Sequence, residues 1–322
     1  MTTELVAYAD IDEVLGHRTG RFFGEGYKRI THRLGEITLD HDDQGRPRAR
    51  TTATVGYPLD WSTKSSRVLE PHLSSLDAAI FGHRLLEVVL REFFGVSVHD
   101  IRHAWLPSIR FSSGTAATES LTDFPVTARV TAIDGHVLTL VGKLGRSMTL
   151  EATVALPVPA VARDVEPTTT FDRGGGFYHD AVYRRGQYLR NVVVTADGAG
   201  AAAEYELAQV DPTDGGNGVA DAYQPSISLV DATVMLAQLS QVVLYELDNI
   251  ARKDSETLWM RRMSTDTTAL PAGYAPGTVS TRMVRSMILT FGGGDWRISS
   301  WASEFAGATV KYDLAHRLPT RL

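Results

Sequence analysis

A histidine, a serine and an aspartate crowd the start of an apolar run, Pro71-His72-Leu73-Ser74-Ser75-Leu76-Asp77-Ala78. Ser74 and Asp77 stand three apart, the spacing of a capping box, in which hydroxyl and carboxylate satisfy free N–H groups of a first helical turn. Those amides can also hold a carbonyl oxygen or an oxyanion, and an acid or base in that turn would lie beside the reacting carbons. His72 adds a group whose unperturbed pKa of about 6.5 suits general acid or base catalysis. Whether Asp77 caps, catalyses or does both is left open by these residues.

The stretch returns 154 positions later as Pro225-Ser226-Ile227-Ser228-Leu229-Val230-Asp231-Ala232. Nine of the 22 positions from Pro71 to Glu92 are identical in the copy, where background composition predicts one or two, so the chain contains one structural unit twice. Asp231 is therefore the second candidate acid or base. Ser226 stands where the first copy has His72, which favours the first copy as the reacting one. His83, on the buried face of the predicted helix opposite Ala237, is either a hydrogen-bonded core histidine or a polar group lining a substrate tunnel. Trp105 and Trp259 keep the same offset and read as packing anchors. Lys64 and Arg110 could hold a phosphate or carboxylate, although single basic residues are mostly solvated. The ten histidines show no ligand spacing paired with acids, so no metal is expected.

The elements around these residues follow from period and punctuation. Apolar residues recur at three and four from Ser75 to Phe94, with Gly95 as the stop, and the second copy predicts a helix from Ser228 to about Ile250. A short helix is predicted over Tyr8–Leu15. Alternating runs predict a hairpin of Tyr27–Leu39 with Arg48–Tyr57, turning at Asp42–Gly45, and strands at 103–112, 126–133, 136–144 and 147–156. In the second half strands are predicted at 183–196, 201–210, 257–268, 279–291, 295–305 and 309–314, with a loop at 211–218. The Pro- and Gly-rich residues 157–176 read as a linker, dividing the chain into units 1–156 and 177–322. Gly24 and Gly26 lack the strand before and long helix after that a dinucleotide fingerprint needs, so they mark a turn and no cofactor is expected. A lone helix apolar on several sides needs a sheet curving around it. The expected class is α+β, a double hotdog.

The absence of cysteine excludes disulfides and thiolate chemistry, and a net charge of −6 argues against nucleic acid as the main partner. No basic leader or long apolar run favours export or membrane spanning, which predicts a cytoplasmic protein. No nucleophile-elbow motif appears.

Three segments resemble the avirulence D (AvrD) family: Ile11-Asp12-Glu13-Val14-Leu15-Gly16, Arg21-Phe22-Phe23-Gly24-Glu25-Gly26-Tyr27-Lys28, and Tyr57-Pro58-Leu59-Asp60-Trp61-Ser62-Thr63-Lys64 leading to Pro71–Ala78. The resemblance implies synthesis of syringolide-type acyl-sugar lactones from a β-ketoacyl thioester and a ketose, and it marks Trp61, Lys64, His72, Ser74 and Asp77 as positions where family signature and candidate site coincide. His72–Ala78 is also similar to the His-Pro-x-x-x-Asp-Ala segment of polyketide-synthase dehydratases, with Leu73 in place of the proline, and the A-factor-type butenolide enzymes offer a further resemblance. The expectation is an acyltransferase that joins a β-ketoacyl group, delivered by acyl carrier protein or coenzyme A, to a sugar or sugar phosphate and closes a butenolide or lactone. Asp77, His72 and Asp231 are its candidate catalytic groups, with Trp61, Lys64, Ser74, His83, Trp105 and Arg110 around the substrate. A dehydratase, hydratase or thioesterase, or a non-catalytic acyl-ligand binding protein, are the alternatives; a monomer and a homodimer are both compatible with the sequence.

Overall fold

The computed structural model describes residues 6–64, 67–114, 118–208, 216–255 and 258–319. Its two long helices are the repeated ones, α2 (Ser75–Phe94) and α5 (Leu229–Asp248), each preceded in chain order by the shorter α1 (Asp12–Leu15) or by α3 (Val98–His103) and α4 (Ala181–Arg184). Both start in complete capping boxes: the Ser74 and Ser228 hydroxyls accept the Asp77 and Asp231 amides, and each carboxylate accepts the serine amide in return. Both stop at a residue in the left-handed region, Gly95 after α2 and Asn249 after α5, the two residue types that reach it with least strain.

The strands are β1 (Ala7–Asp10), β2 (Thr31–Leu34), β3 (Ile37–His41), β4 (Pro47–Gly56), the small hairpin β5 (Thr63–Lys64) and β6 (Arg67–Val68), β7 (Trp105–Ser113), β8 (Phe124–Asp134), β9 (Val137–Leu144) and β10 (Met148–Ala155). In the second half they are β11 (Thr168–Thr170), β12 (Gly186–Val194), β13 (Gly200–Ala208), β14 (Leu258–Thr267), β15 (Gly277–Phe291), β16 (Gly294–Phe305) and β17 (Ala308–Arg317). All except β5 and β6 join one sheet of antiparallel pairs, in which β3-β4-β8-β9-β10-β7 continues into β14-β17-β16-β15-β13-β12. Helix α2 packs on β2, β4, β8, β9 and β10, α5 on β12, β13 and β15, and the helices touch each other.

The seam between β7 and β14 carries the repeat in its register. Arg110 faces its own counterpart Ser264, Ser108 faces Asp266 and Ser112 faces Arg262. Since Asp266 is the counterpart of Ser112 and Arg262 that of Ser108, an approximate two-fold axis passes through the Arg110–Ser264 pair.

Several expectations are corrected. Instead of a helix over Tyr8–Leu15, β1 pairs with β12 and is followed by the single turn α1, whose start is held by the Asp10 carboxylate on the Asp12 amide. Residues 157–176 contain β11, which extends β3, and Asp172, which binds Arg84; they are built into the fold. The Arg21–Gly26 turn and α1 pack on α5, so the start of the chain lies on the second half. The short α3 and α4 are below the length at which periodicity identifies a helix. The loop expected at 211–218 falls mostly outside the described residues, as do Val210 and Thr257. No helix among the described residues is long and apolar enough to cross a membrane.

Candidate functional site

A pocket opens at the start of α2, with Ser74 and Ser75 in its wall. Ser75 begins the helix, so its amide has no intrahelical acceptor. His72 lines the same space, its ring stacked on Trp259 at 5.2 Å and 7°. The His72 Nδ1 lies 3.3 Å from the Glu70 carbonyl, which can only accept, so Nδ1 carries the proton and Nε2 is the basic atom. Phe22, Tyr57 and Trp61 form an aromatic wall, Trp61 meeting the other two edge to face at 5.3 and 5.1 Å. That wall depends on Gly26: a Cβ there would lie 2.0 Å from the Trp61 carbonyl oxygen, so the bare backbone lets the two segments meet. Gln238 and Gln241 of α5 and Trp259 of β14 close the pocket from the second half. Arg21, Lys64 and Arg252 also line it, and Lys64 donates to the Ser255 hydroxyl at 2.9 Å.

Asp77 lies behind this wall, fully buried. Its Oδ1 meets His32 Nε2 at 2.7 Å, and its Oδ2 accepts the Tyr57 hydroxyl at 2.9 Å and the Ser74 amide and hydroxyl at 2.7 Å each. His32 is held from its other side by the Tyr183 hydroxyl at 2.7 Å. Burial works against the Asp77 charge, but the hydrogen bond and charge of His32 and the bonds from Ser74 bring its carboxyl below the usual range. Burial and the neighbouring Asp77 push the Tyr57 phenol well up, so it stays a donor. Asp77 does not line the pocket; Ser74 and Tyr57 do, and both are hydrogen-bonded to its carboxylate.

The second copy is built differently at the same places. Asp231 is held by Arg185 at 2.9 Å, Gln187 at 2.7 Å and the Ser228 amide and hydroxyl at 2.9 and 2.7 Å. Both of its oxygens accept hydrogen bonds from these partners. Tyr178, a buried residue whose phenol burial pushes up, lies close to the backbone of Leu229, the counterpart of Ser75. Tyr178 stacks on His83 with centroids 3.7 Å apart. Glu87, counterpart of the pocket residue Gln241, accepts the Val219 amide at 3.1 Å and lies against Gly176 and Gly218. Burial raises its pKa to about 7. The chain's own side chains thus fill at α5 the space left open at α2.

Of the other predicted site residues, Trp61, Lys64, His72 and Ser74 converge on the pocket, and three do not. His83 donates from Nδ1 to the Ala79 carbonyl at 2.8 Å, and burial lowers its pKa to about 4; it is a neutral core histidine beside an apolar cavity under α2. Trp105 is the first residue of β7 and Trp259 the second of β14, but only Trp259 lines the pocket. Arg110 is exposed and paired with Glu151 at 3.0 Å, because strand alternation sends Ile109 and Phe111 inward and Arg110 out. Sequence reasoning missed His32, Arg21, Tyr57, Gln238, Gln241 and Arg252 as site residues. The glutamines had a signal, polar side chains three apart on an otherwise apolar helix, and His32 occupies a buried position in an alternating strand.

Among curated proteins no match to the chain is found. Solved structures overlap it at low similarity. A tesB protein of Mycobacterium avium subsp. paratuberculosis is 12% identical, with 87% of this chain and 96% of that one covered at a TM-score of 0.42. An acyl-ACP thioesterase from Bacteroides thetaiotaomicron is 9% identical, covering 90% and 99% at 0.39, and the dehydratase domain of RzxB from Pseudomonas fluorescens is 13% identical, covering 87% and 97% at 0.37. The antiparallel sheet against a long buried helix is itself the hotdog arrangement. Residues 6–319 match the family described as Pseudomonas avirulence D protein (AvrD), and the chain belongs to that family.

Proposed function

We propose that this protein is a double hotdog enzyme, with units at 1–156 and 177–322, that transfers a β-ketoacyl group from an acyl carrier protein or coenzyme A thioester to a sugar hydroxyl in the α2 pocket. The carrying observation is the contrast between the two helix starts. At α5 the buried Tyr178 lies close to the backbone of Leu229, whereas the equivalent Ser75 lies in the wall of an open pocket. A helix start that faces a pocket supports a thioester carbonyl bound at its free amide.

His72 Nε2 takes the proton of the acceptor hydroxyl, and the oxygen attacks the thioester carbon. The Ser75 amide holds the oxyanion. When the tetrahedral intermediate collapses the C–S bond breaks, and the thiolate leaves with the proton held by His72. Trp61 and Lys64 flank the substrates, and Ser74, whose amide and hydroxyl both donate to Asp77, forms part of the wall beside them. The acidic carbon between the two carbonyls of the transferred group can then add to the acceptor's ketone and lose water, closing a butenolide or lactone.

Incubation with a β-ketoacyl thioester and a panel of ketoses and triose phosphates, read by mass spectrometry, tests this reading. A new acyl-sugar mass that the His72→Ala variant fails to produce is the expected result. Thioester loss without an adduct would replace transfer by hydrolysis, and an intact thioester in every mixture would leave only ligand binding.

A further inference from the structure

Arg21 is a buried guanidinium in the pocket wall, 4% exposed. Its Nη1 donates to Gln238 Oε1 at 2.8 Å and its Nη2 to Asp12, while its Nε has no hydrogen-bond partner. A buried N–H of a charged group left without an acceptor is costly, so Arg21 holds an unused donor in this wall. Arg252 lines the same pocket and is held from behind by neutral oxygens, the carbonyls of Thr63 and Gly20, each at 3.0 Å. Among the described residues Arg252 makes no ion pair, and no aspartate or glutamate lines the pocket. Burial lowers the pKa of Arg21 to about 10, and the charge of Arg252 contributes to that shift. Arg21 has the Asp12 carboxylate as its ion-pair partner, and Arg252 adds a second positive charge to the same partly dehydrated space. At the second helix start the buried Arg185 also has an unpartnered Nε but is ion-paired with Asp231, and the counterpart of Arg252 is Val98.

Resting on the transferase reading, we propose that Arg21 and Arg252 form a subsite for a phosphate group carried into the pocket by one of the substrates. Arginine suits phosphate because its planar donors match the oxygen geometry and its charge persists when water is excluded. The phosphate has two possible sources, a phosphorylated acceptor and the phosphopantetheine arm of the thioester carrier. Both present the same oxygens to the two guanidinium groups.

Calorimetric titration of the full chain with matched pairs separates these sources. One pair is dihydroxyacetone phosphate and dihydroxyacetone; the other is the coenzyme A and the N-acetylcysteamine thioester of one acyl group. The phosphate-bearing member of one pair is expected to bind at least about tenfold more tightly. Arg252→Gln should erase that difference while leaving the phosphate-free member unchanged, which also shows that the variant's pocket is intact. A gap in the first pair places the phosphate on the acceptor, and a gap in the second places it on the carrier. No gap in either pair, or one that survives both Arg252→Gln and Arg21→Gln, would overturn the subsite. Because binding is measured without turnover, a phosphate preference without transfer would fail the transferase reading alone, and transfer without a phosphate preference would fail only the subsite.

Discussion

Asp77 and Glu87 are both buried carboxyls on α2, yet their surroundings drive them in opposite directions. Asp77 is bonded by His32, Tyr57 and Ser74. Its folded pKa is below the unfolded value, so its contribution is present above about pH 4 and is lost as pH falls through the lower folded value. Asp77→Asn supplies a donor where acceptors are needed and should cost about 1–3 kcal/mol, read as a lower Tm. An unchanged Tm would contradict the network. Glu87 has its folded pKa raised to about 7, so the folded state keeps a proton that the unfolded state releases. Its sign is therefore reversed: stability is full below the unfolded pKa near 4.5 and falls as pH rises towards 7, by roughly 3 kcal/mol if the whole shift is expressed. Glu87→Gln should flatten the decline in denaturation midpoint between pH 5 and pH 8; a decline as steep as that of the parent would show that Glu87 does not titrate there. Residue types announced Ser74, Asp77 and His72 as chemical groups, but not that Asp77 stands behind Ser74. That depends on His32 and Tyr183, 45 residues before and 106 after it in the chain, and such long-range partners leave no local pattern.

At the scale of elements, the start of α2 has the most to do. Proline is tolerated at N1, where the missing N–H has no intrahelical acceptor, and Ser74 already has the extended backbone that a following proline requires. Ser75→Pro therefore removes one oxyanion donor while keeping the helix. Turnover should fall by about a hundredfold or more with little change in Tm, whereas Ser75→Ala, which keeps the amide, should stay close to the parent. At the start of α5 the matching experiment is Tyr178→Phe, which removes the hydroxyl close to the Leu229 backbone. It should cost about 1 kcal/mol of stability and leave turnover unchanged. Helix positions and most strands were legible because periodicity and glycine or asparagine stops are local. The π-type turn at Phe22–Gly26 was not, since its shape follows from contact with the Trp61 carbonyl and with α5.

For the whole molecule, the repeat predicted two units, and the register at β7 and β14 shows how they meet. The halves share one sheet, β1 crosses to β12, and the first turn of the chain packs on α5. Denaturation followed by far- and near-ultraviolet circular dichroism should therefore give coincident transitions. Two separated midpoints would show that the seam is weak enough for the halves to unfold independently. Sequence also signalled inequality between the halves, through Ser226 in place of His72, but not its physical form. Tyr178, which stacks on His83, comes from a segment with no counterpart motif in the first half, and Glu87 of α2 lies against Gly176 and Gly218 of the second. In the proposed mechanism one helix start reacts and the other is closed by the protein itself. Its most direct test is the rate of acyl-sugar formation by the parent, Ser75→Pro and Tyr178→Phe, all at equal folded concentration. The account predicts a loss in Ser75→Pro alone; full activity in Ser75→Pro, or an equal loss in Tyr178→Phe, would contradict it.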